Sequence, residues 1–208
     1  MFSEAVPVSV HQVIERLRTL PVIANFYLAG GTALALHLGH RCSVDLDFFT
    51  DDVFDGMKLA DSLTNLGGEL RTQQEDTLHA MLDEVKCSFF RYPYPRLESF
   101  HSFSGINLAA VPDIAAMKVV AIAQRGTKKD FFDLYEILRQ HTPQQLKTWV
   151  LGKFGERRIN CYHVLRSLVF FADADVDPDP ISLNETSWPV VKSFFLSLEK
   201  ELSEKLLC

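Results

Sequence analysis

The sequence lacks most of the features that would set it apart from an ordinary folded protein. Its four cysteines, Cys42, Cys87, Cys161 and Cys208, form no C-x-x-C pair, which argues against a zinc ribbon or a dense disulfide scaffold, and they are read as reduced thiols. No apolar run approaches the ~18 residues of a membrane span, and no basic N-terminal segment leads into an apolar one. A cytoplasmic protein with no membrane association is expected. The seven histidines show no H-E-x-x-H or other ligand spacing, and His37 and His40 read as local hydrogen-bond partners. Basic residues do not dominate: 21 Lys and Arg stand against 27 Asp and Glu, a net charge of −6. Any hold on a nucleic acid must therefore come from a local patch and not from the field of the whole molecule.

What is present is hydrophobic and aromatic. With 47% hydrophobic residues, 16 Phe and 23% charged residues in 208, the chain can bury one sizeable, aromatic-rich core, or one α/β domain with a helical annex. Residues 9–20 carry apolar side chains at helical spacing up to Pro21. Residues 25–29 read as a short strand running into Gly30-Gly31-Thr32 and then a helix that ends near Gly39. From Ser43 to Phe49 polar and apolar residues alternate, so a strand is expected with Val44, Leu46 and Phe48 on one face and Asp45 and Asp47 on the other. A helix over 56–66, strands near 69–74, 77–82 and 85–92, and a short strand near 106–110 follow. Beyond residue 111 the pattern turns helical, over 112–124, 129–140, 143–151, 160–171 and 188–206. The acidic stretch 173–180 reads as a loop. It opens like a calcium loop, but Pro178 stands where the glycine is required and Asn184 at the twelfth position.

The chemistry concentrates between residues 30 and 47. Glycines at the mouth of a helix let backbone amides approach a phosphate, and Thr32 adds a hydroxyl. Two carboxylates at i and i+2 on one strand face have Cα atoms roughly 6.5–7 Å apart, near enough to converge on one hard cation. A phosphate cradle beside a carboxylate pair suits nucleotidyl or phosphoryl transfer, where positioning and charge neutralisation do most of the catalysis. Either half alone also has an ordinary structural reading, as a tight turn or as a solvated strand face.

Residues 27–50, YLAGGTALALHLGHRCSVDLDFFT, closely resemble the first motif of the nucleotidyltransferase family that contains the AbiEii/AbiGii abortive-infection toxins, a branch of the polymerase-beta-like superfamily. Residues 112–138, PDIAAMKVVAIAQRGTKKDFFDLYEIL, resemble its second block, and with the Tyr92-Pro-Tyr-Pro95 strand end these segments cover most of 25–140. The resemblance implies an α+β fold with a mixed-sheet nucleotidyltransferase core over 1–111. A helical part over 112–208 would complete the active site. It implies a nucleoside triphosphate as substrate and Mg²⁺ as cofactor, with Asp45 and Asp47 as metal ligands and catalytic groups. Gly30, Gly31, Thr32, Arg41 and Lys118 would bind the nucleotide, although Arg41 could equally be a surface residue. Asp130 would be the base, or the metal-linked orienter, for the acceptor hydroxyl. Relatives act as toxins paired with a cognate antitoxin, and some transfer nucleotides to a tRNA 3′ end. Transfer to a protein or small molecule, or nucleotide binding without turnover, are the alternatives.

The chain departs from the superfamily pattern in one respect. A third carboxylate is common on the strand that corresponds to residues 85–92, and that strand has no acid; Ser88 stands at the position. Asp83 and Glu84 lie just before it, where they fit a hairpin turn. In the helical part, Lys118 emerges from the stripe of Ile114, Ala121, Ile122 and Arg125, and Asp130 and Asp133 share the next helix's face. An Arg125–Asp133 pair locking the two helices is expected, leaving Lys118 and Asp130 for the triphosphate and acceptor. Lys128, Lys129, Lys147, Lys153, Arg157 and Arg158 could form a basic rim for RNA or an ordinary mixed surface.

Overall fold

The computed structural model describes residues 1–206, with side chains through residue 200. The chain opens with helix α1 (Val8–Leu17), strand β1 (Tyr27–Ala29), helix α2 (Gly30–Leu38), strand β2 (Leu46–Thr50) and helix α3 (Gly56–Asn65). Strands β3 (Glu69–Gln74), β4 (Thr77–Leu82), β5 (Val85–Arg91), β6 (His101–Phe103) and β7 (Ile106–Leu108) come next. The helices α4 (Val111–Gln124), α5 (Lys128–Leu138), α6 (Pro143–Phe154), α7 (Cys161–Leu168), α8 (Ala172–Asp175) and α9 (Trp188–Leu206) complete the described residues.

The strands form one mixed sheet in the order β3-β4-β5-β2-β1-β7-β6. β2 is antiparallel to β1 and parallel to β5, while β1 is parallel to β7. This is the α+β fold expected. The β2–β5 pair lies near the sheet's middle and buries alternate residues: Phe48 and Phe89 stack at 5.2 Å, fully enclosed. Burial of each such ring is worth about 1.5–3 kcal/mol. One apolar cluster runs from Val10 and Leu34 through Phe48 and Phe89 to Phe131 and Phe195, joining the sheet to the C-terminal helices.

Several expectations need adjustment. β2 begins at Leu46, and Val44 is half exposed instead of sharing a core face with Leu46 and Phe48. The chain before β2 is drawn away from the sheet, because Ser43 N–H donates to Ala5 and Cys42 N–H to Ile181. β6 went unread: it is three residues at the sheet edge, closed onto β7 by a turn with positive φ at Ser104 and Gly105. Within 173–180 the first residues form α8, where Asp175 accepts from Trp188 Nε1 at 2.7 Å and Lys192 at 2.9 Å. His37 and His40 bond far along the sequence, to the Ala109 carbonyl and to Asp133. Cys42 and Cys87 are free thiols, and Cys208 lies outside the described residues. No helix among the described residues is long and apolar enough to cross a membrane.

Candidate active site

The sharp passage from β1 into α2 sets the site. Gly30 has a φ of +66°, which an L side chain resists, and a Cβ there would stand 3.0 Å from Asp47 Oδ2. A Cβ on Gly31 would collide with Arg41 Nη2. Both glycines are therefore required by close approach, one of a carboxylate and the other of a guanidinium. Thr32 is buried and its hydroxyl faces inward, within 2.8 Å of Ser43 Oγ and bonded to the Asp45 carbonyl. It ties the segment before β2 to the mouth of α2, so it fixes where Asp45 begins; the hydroxyl expected to meet a nucleotide already has partners.

Asp45 and Asp47 face the same cavity, of about 430 Å³. Strand register puts Ser88 beside Asp47 and His79 beside Ser88, a row across three strands. The Ser88 hydroxyl donates to Asp47, so the neighbouring strand supplies a hydrogen bond where a carboxylate would otherwise stand. Burial, and then repulsion from Asp45, push the Asp47 carboxyl above its usual range, only partly offset by Lys118, Ser88 and Arg125. The one cation in ion-pair range of Asp45 among the described residues is Lys129, at 3.8 Å. Asp83 and Glu84 lie in the β4–β5 turn with positive φ, and Asp83 pairs with Arg16 on α1, away from the cavity.

The second acidic pair is held quite differently. Asp133 is fully buried and receives Arg41 through Nε at 2.7 Å and Nη2 at 3.0 Å, His40 Nε2 at 2.7 Å and Lys118 Nζ at 2.6 Å. Burial would raise its carboxyl, yet Arg41 and Lys118 hold it well below the usual range. Asp130, in the first turn of α5, accepts from Lys118 at 2.9 Å, from Arg125 at 3.0 and 3.2 Å and from Thr127 at 2.7 Å. Against the cost of its burial, Lys118 and then Arg125 hold it at about 2. The expected Arg125–Asp133 pair is corrected: Arg125 meets Asp130, and Arg41, from the first motif, meets Asp133 instead of a surface. Lys118 is buried, as the apolar stripe implied, but its ammonium is committed to both aspartates, and burial is outweighed by them in keeping it charged. Four donors occupy the Asp130 oxygens, which suits an organiser better than a base.

A second cavity, of about 490 Å³, opens on the other side of Asp47 and reaches Gly30 and Lys118. Its wall is aromatic: Phe49 stacks on Phe90 at 5.2 Å, Tyr92 lies 5.5 Å from Phe49 and 4.6 Å from Tyr94, and Tyr94 lies 4.9 Å from Phe154. Arg91, Arg125 and Arg158 are its cations with Lys118, and Asp47 is its one acid. The shelf was overlooked, although the doublets Phe48-Phe49 and Phe89-Phe90 signal it: one ring of each doublet enters the core, so the other must stand on the site face. The shelf is pinned by buried Asp113, which accepts Lys153 Nζ at 2.7 Å and the backbone N–H groups of Leu97 and Glu98. Lys153 and Lys128 are thus turned inward, the latter to Asp177 and Asp179, and neither contributes to a basic rim.

The donor set at Asp45 and Asp47 is all hard oxygen, with repulsion between the carboxylates left largely uncompensated, and that fits a divalent cation completed by phosphate oxygens. No cluster of three or more His, Cys, Asp or Glu suited to a metal occurs among the described residues.

Comparison with known proteins leads to the same chemistry. A family model described as nucleotidyl transferase AbiEii toxin, type IV TA system, matches residues 12–94 and 90–201. An uncharacterized protein of Aquifex aeolicus, aq_aa25, is 39% identical over 204 residues, covering 93% of this chain and 95% of the relative. Among solved structures, the nucleotidyltransferase toxin MenT4 from Mycobacterium tuberculosis aligns with a TM-score of 0.58 at 16% identity, over 95% of this chain and 86% of that one. ANT(2'')-Ia in complex with adenylyl-2''-tobramycin aligns with a TM-score of 0.54 at 12% identity, over 70% of this chain and 97% of that one. At these identities the structural likenesses speak for the fold alone.

Proposed function

Because this chain belongs to the AbiEii nucleotidyl transferase toxin family, and is therefore a nucleotidyltransferase, we propose that it moves a nucleotide from a nucleoside triphosphate to an acceptor hydroxyl with Mg²⁺ held by Asp45 and Asp47. The observation that carries the reading is the incompletely compensated carboxylate pair at Asp45 and Asp47, set against the glycine mouth of α2 and open to two cavities. Bound there, the cation would supply charge neutralisation for the triphosphate. The Gly30-Gly31 mouth lets the chain approach the phosphates, and the aromatic shelf offers a stacking surface for a base. Lys118 and Asp130 set the geometry of that mouth through Asp133 and Arg41. The α4 and α5 helices thereby complete a site begun by the strands, which is the sense in which residues 112–208 serve the core of residues 1–111.

In the cell the chain is read as the toxin of a pair with a cognate antitoxin, acting in the cytoplasm on a tRNA 3′ end. The family description supports the toxin role; the acceptor rests on the resemblance of residues 27–50 and 112–138. Incubating the purified chain with each α-labelled nucleoside triphosphate, Mg²⁺ and total RNA tests the reading. Label in tRNA is expected. Label in a protein or small molecule would replace the acceptor. Nucleotide binding without transfer would overturn the enzyme reading and give the Ser88 position, which lacks an acid, its meaning.

A further inference from the structure

Five cations line the polar cavity, and among the described residues only Lys129 is within ion-pair distance of Asp45. Arg41 and Lys118 are buried on Asp133, Arg125 is bidentate on Asp130, and Lys86 lies exposed on β5. Lys129 differs from all of them. It is about half exposed, its Nζ stands 3.8 Å from Asp45 Oδ2, and nothing else in the described structure holds it. It also occupies the first turn of α5, where the helix dipole disfavours a positive charge. Its neighbour Lys128 has Asp177 and Asp179 to explain the same misplacement; Lys129 has Asp45, a group that a metal ion would claim.

Resting on the nucleotidyltransferase reading, we propose that Lys129 is the exchangeable counter-ion of the site: it neutralises Asp45 while no metal is bound, and closes on the β- and γ-phosphates when the metal-bound nucleotide arrives. The flexible stem and exposed ammonium of Lys129 suit such a change of partner, whereas Arg41 and Arg125 are already fixed on Asp133 and Asp130. Lys118 cannot take that part without giving up its ion pairs to two buried aspartates. Lys129 lines both the polar cavity and the groove beyond Asp45 bounded by Val44 and Ile181, so its reach covers the mouth through which a triphosphate tail would extend.

The proposal predicts effects of opposite sign on two affinities, which a structural role would not produce. Titration calorimetry is run on the wild type, Lys129→Met, Lys129→Arg and the charge-matched control Lys58→Met, an exposed lysine on α3. Each is titrated with Mn²⁺ alone and with each nucleoside triphosphate in excess Mg²⁺. Lys129→Met removes a competitor for Asp45, so Mn²⁺ alone should bind up to about fivefold more tightly. The same variant should bind the best nucleotide about tenfold more weakly, with Lys129→Arg recovering most of the loss and Lys58→Met matching the wild type. Unchanged affinities, or two affinities that move in the same direction, overturn the proposal. A wild type that binds no nucleotide removes the function reading and this one together, whereas a wild type that binds and a Lys129→Met variant that binds equally well removes this one alone.

Discussion

Two pairs of aspartates lie on facing elements of the same site and live under opposite electrostatics. Asp130 and Asp133 have more donors than charge, from Lys118, Arg41, Arg125, His40 and Thr127, and are held below the usual carboxyl range. Asp45 and Asp47 have too few, a serine hydroxyl and one half-exposed lysine at 3.8 Å, and Asp47 is pushed up. In the proposed reading, the carboxylates whose demand is met inside the protein are scaffolding, and those whose demand is left open take the ligand. The K-D-x-x-D run and the D-x-D strand look alike as acidic motifs; only their partners separate them.

The largest effect that separates the pairs is on turnover. Asp45→Asn or Asp47→Asn should lower nucleotide transfer by about 10³-fold or more, the several kcal/mol that a metal-held charge contributes. Folding should be unchanged or improved. Activity assays beside urea unfolding check this, and a variant that loses stability in step with activity would make the D-x-D pair structural.

Next comes Asp133→Asn. It leaves Arg41 and Lys118 short of a buried counter-charge, and a loss of about 3–5 kcal/mol in unfolding free energy is expected. A stable Asp133→Asn protein with its activity gone would move Asp133 from the scaffold to the chemistry.

The pairs should also respond to pH with opposite signs. Asp130 and Asp133 have depressed folded-state values, so they add stability above the unfolded value of 3.8 and lose it as the pH falls through the folded values, about 2 for Asp130 and well below 3.8 for Asp133. Asp47 has a raised folded-state value, so its contribution favours folding at low pH and is lost as the pH rises through that value. Asp47→Asn should therefore gain more stability over wild type at pH 7 than at pH 4, read from unfolding midpoints at each. An equal gain at both would mean that burial and Asp45 do not act on Asp47 as described.

The smallest effect falls on Ser88→Ala. It removes one hydrogen bond to Asp47, about 1 kcal/mol, and should lower transfer by a few fold and the melting temperature by only about 2–4 °C. Loss as deep as that of Asp47→Asn would mean that Ser88 acts in the chemistry itself.

The sequence made the strand–glycine–helix entry, the β3–β5 meander and the burial of Lys118 readable, because each follows from local periodicity or a local motif; of the D-x-D pair only Asp47 lies on β2, and Asp45 precedes it. The partners of the aspartates were not readable in the same way. Arg41 and Asp133 are 92 positions apart and meet only because α2 and α5 pack beside each other. Arg125 was assigned by extending the stripe of α4, but that helix ends at Gln124 and the backbone at Arg125, with φ −134°, leaves the helical path. The side chain consequently turns to Asp130, five residues on, and not to Asp133. Val44 failed for a similar reason, since alternation assumes a strand that the hydrogen bond from Ser43 to Ala5 keeps from starting there.

Thermal unfolding of wild type and Asp47→Asn with a saturating nucleoside triphosphate, in Mg²⁺ and in EDTA, tests the open demand of the D-x-D pair most directly. At about 100 times the dissociation constant, ligand linkage is worth about 2.7 kcal/mol, or about 5–10 °C for a chain of this size. The account predicts that rise for wild type in Mg²⁺, a much smaller one in EDTA, and little in Asp47→Asn under either condition. Equal rises in all four samples would contradict it, and would mean that the nucleotide binds without the metal and without Asp47.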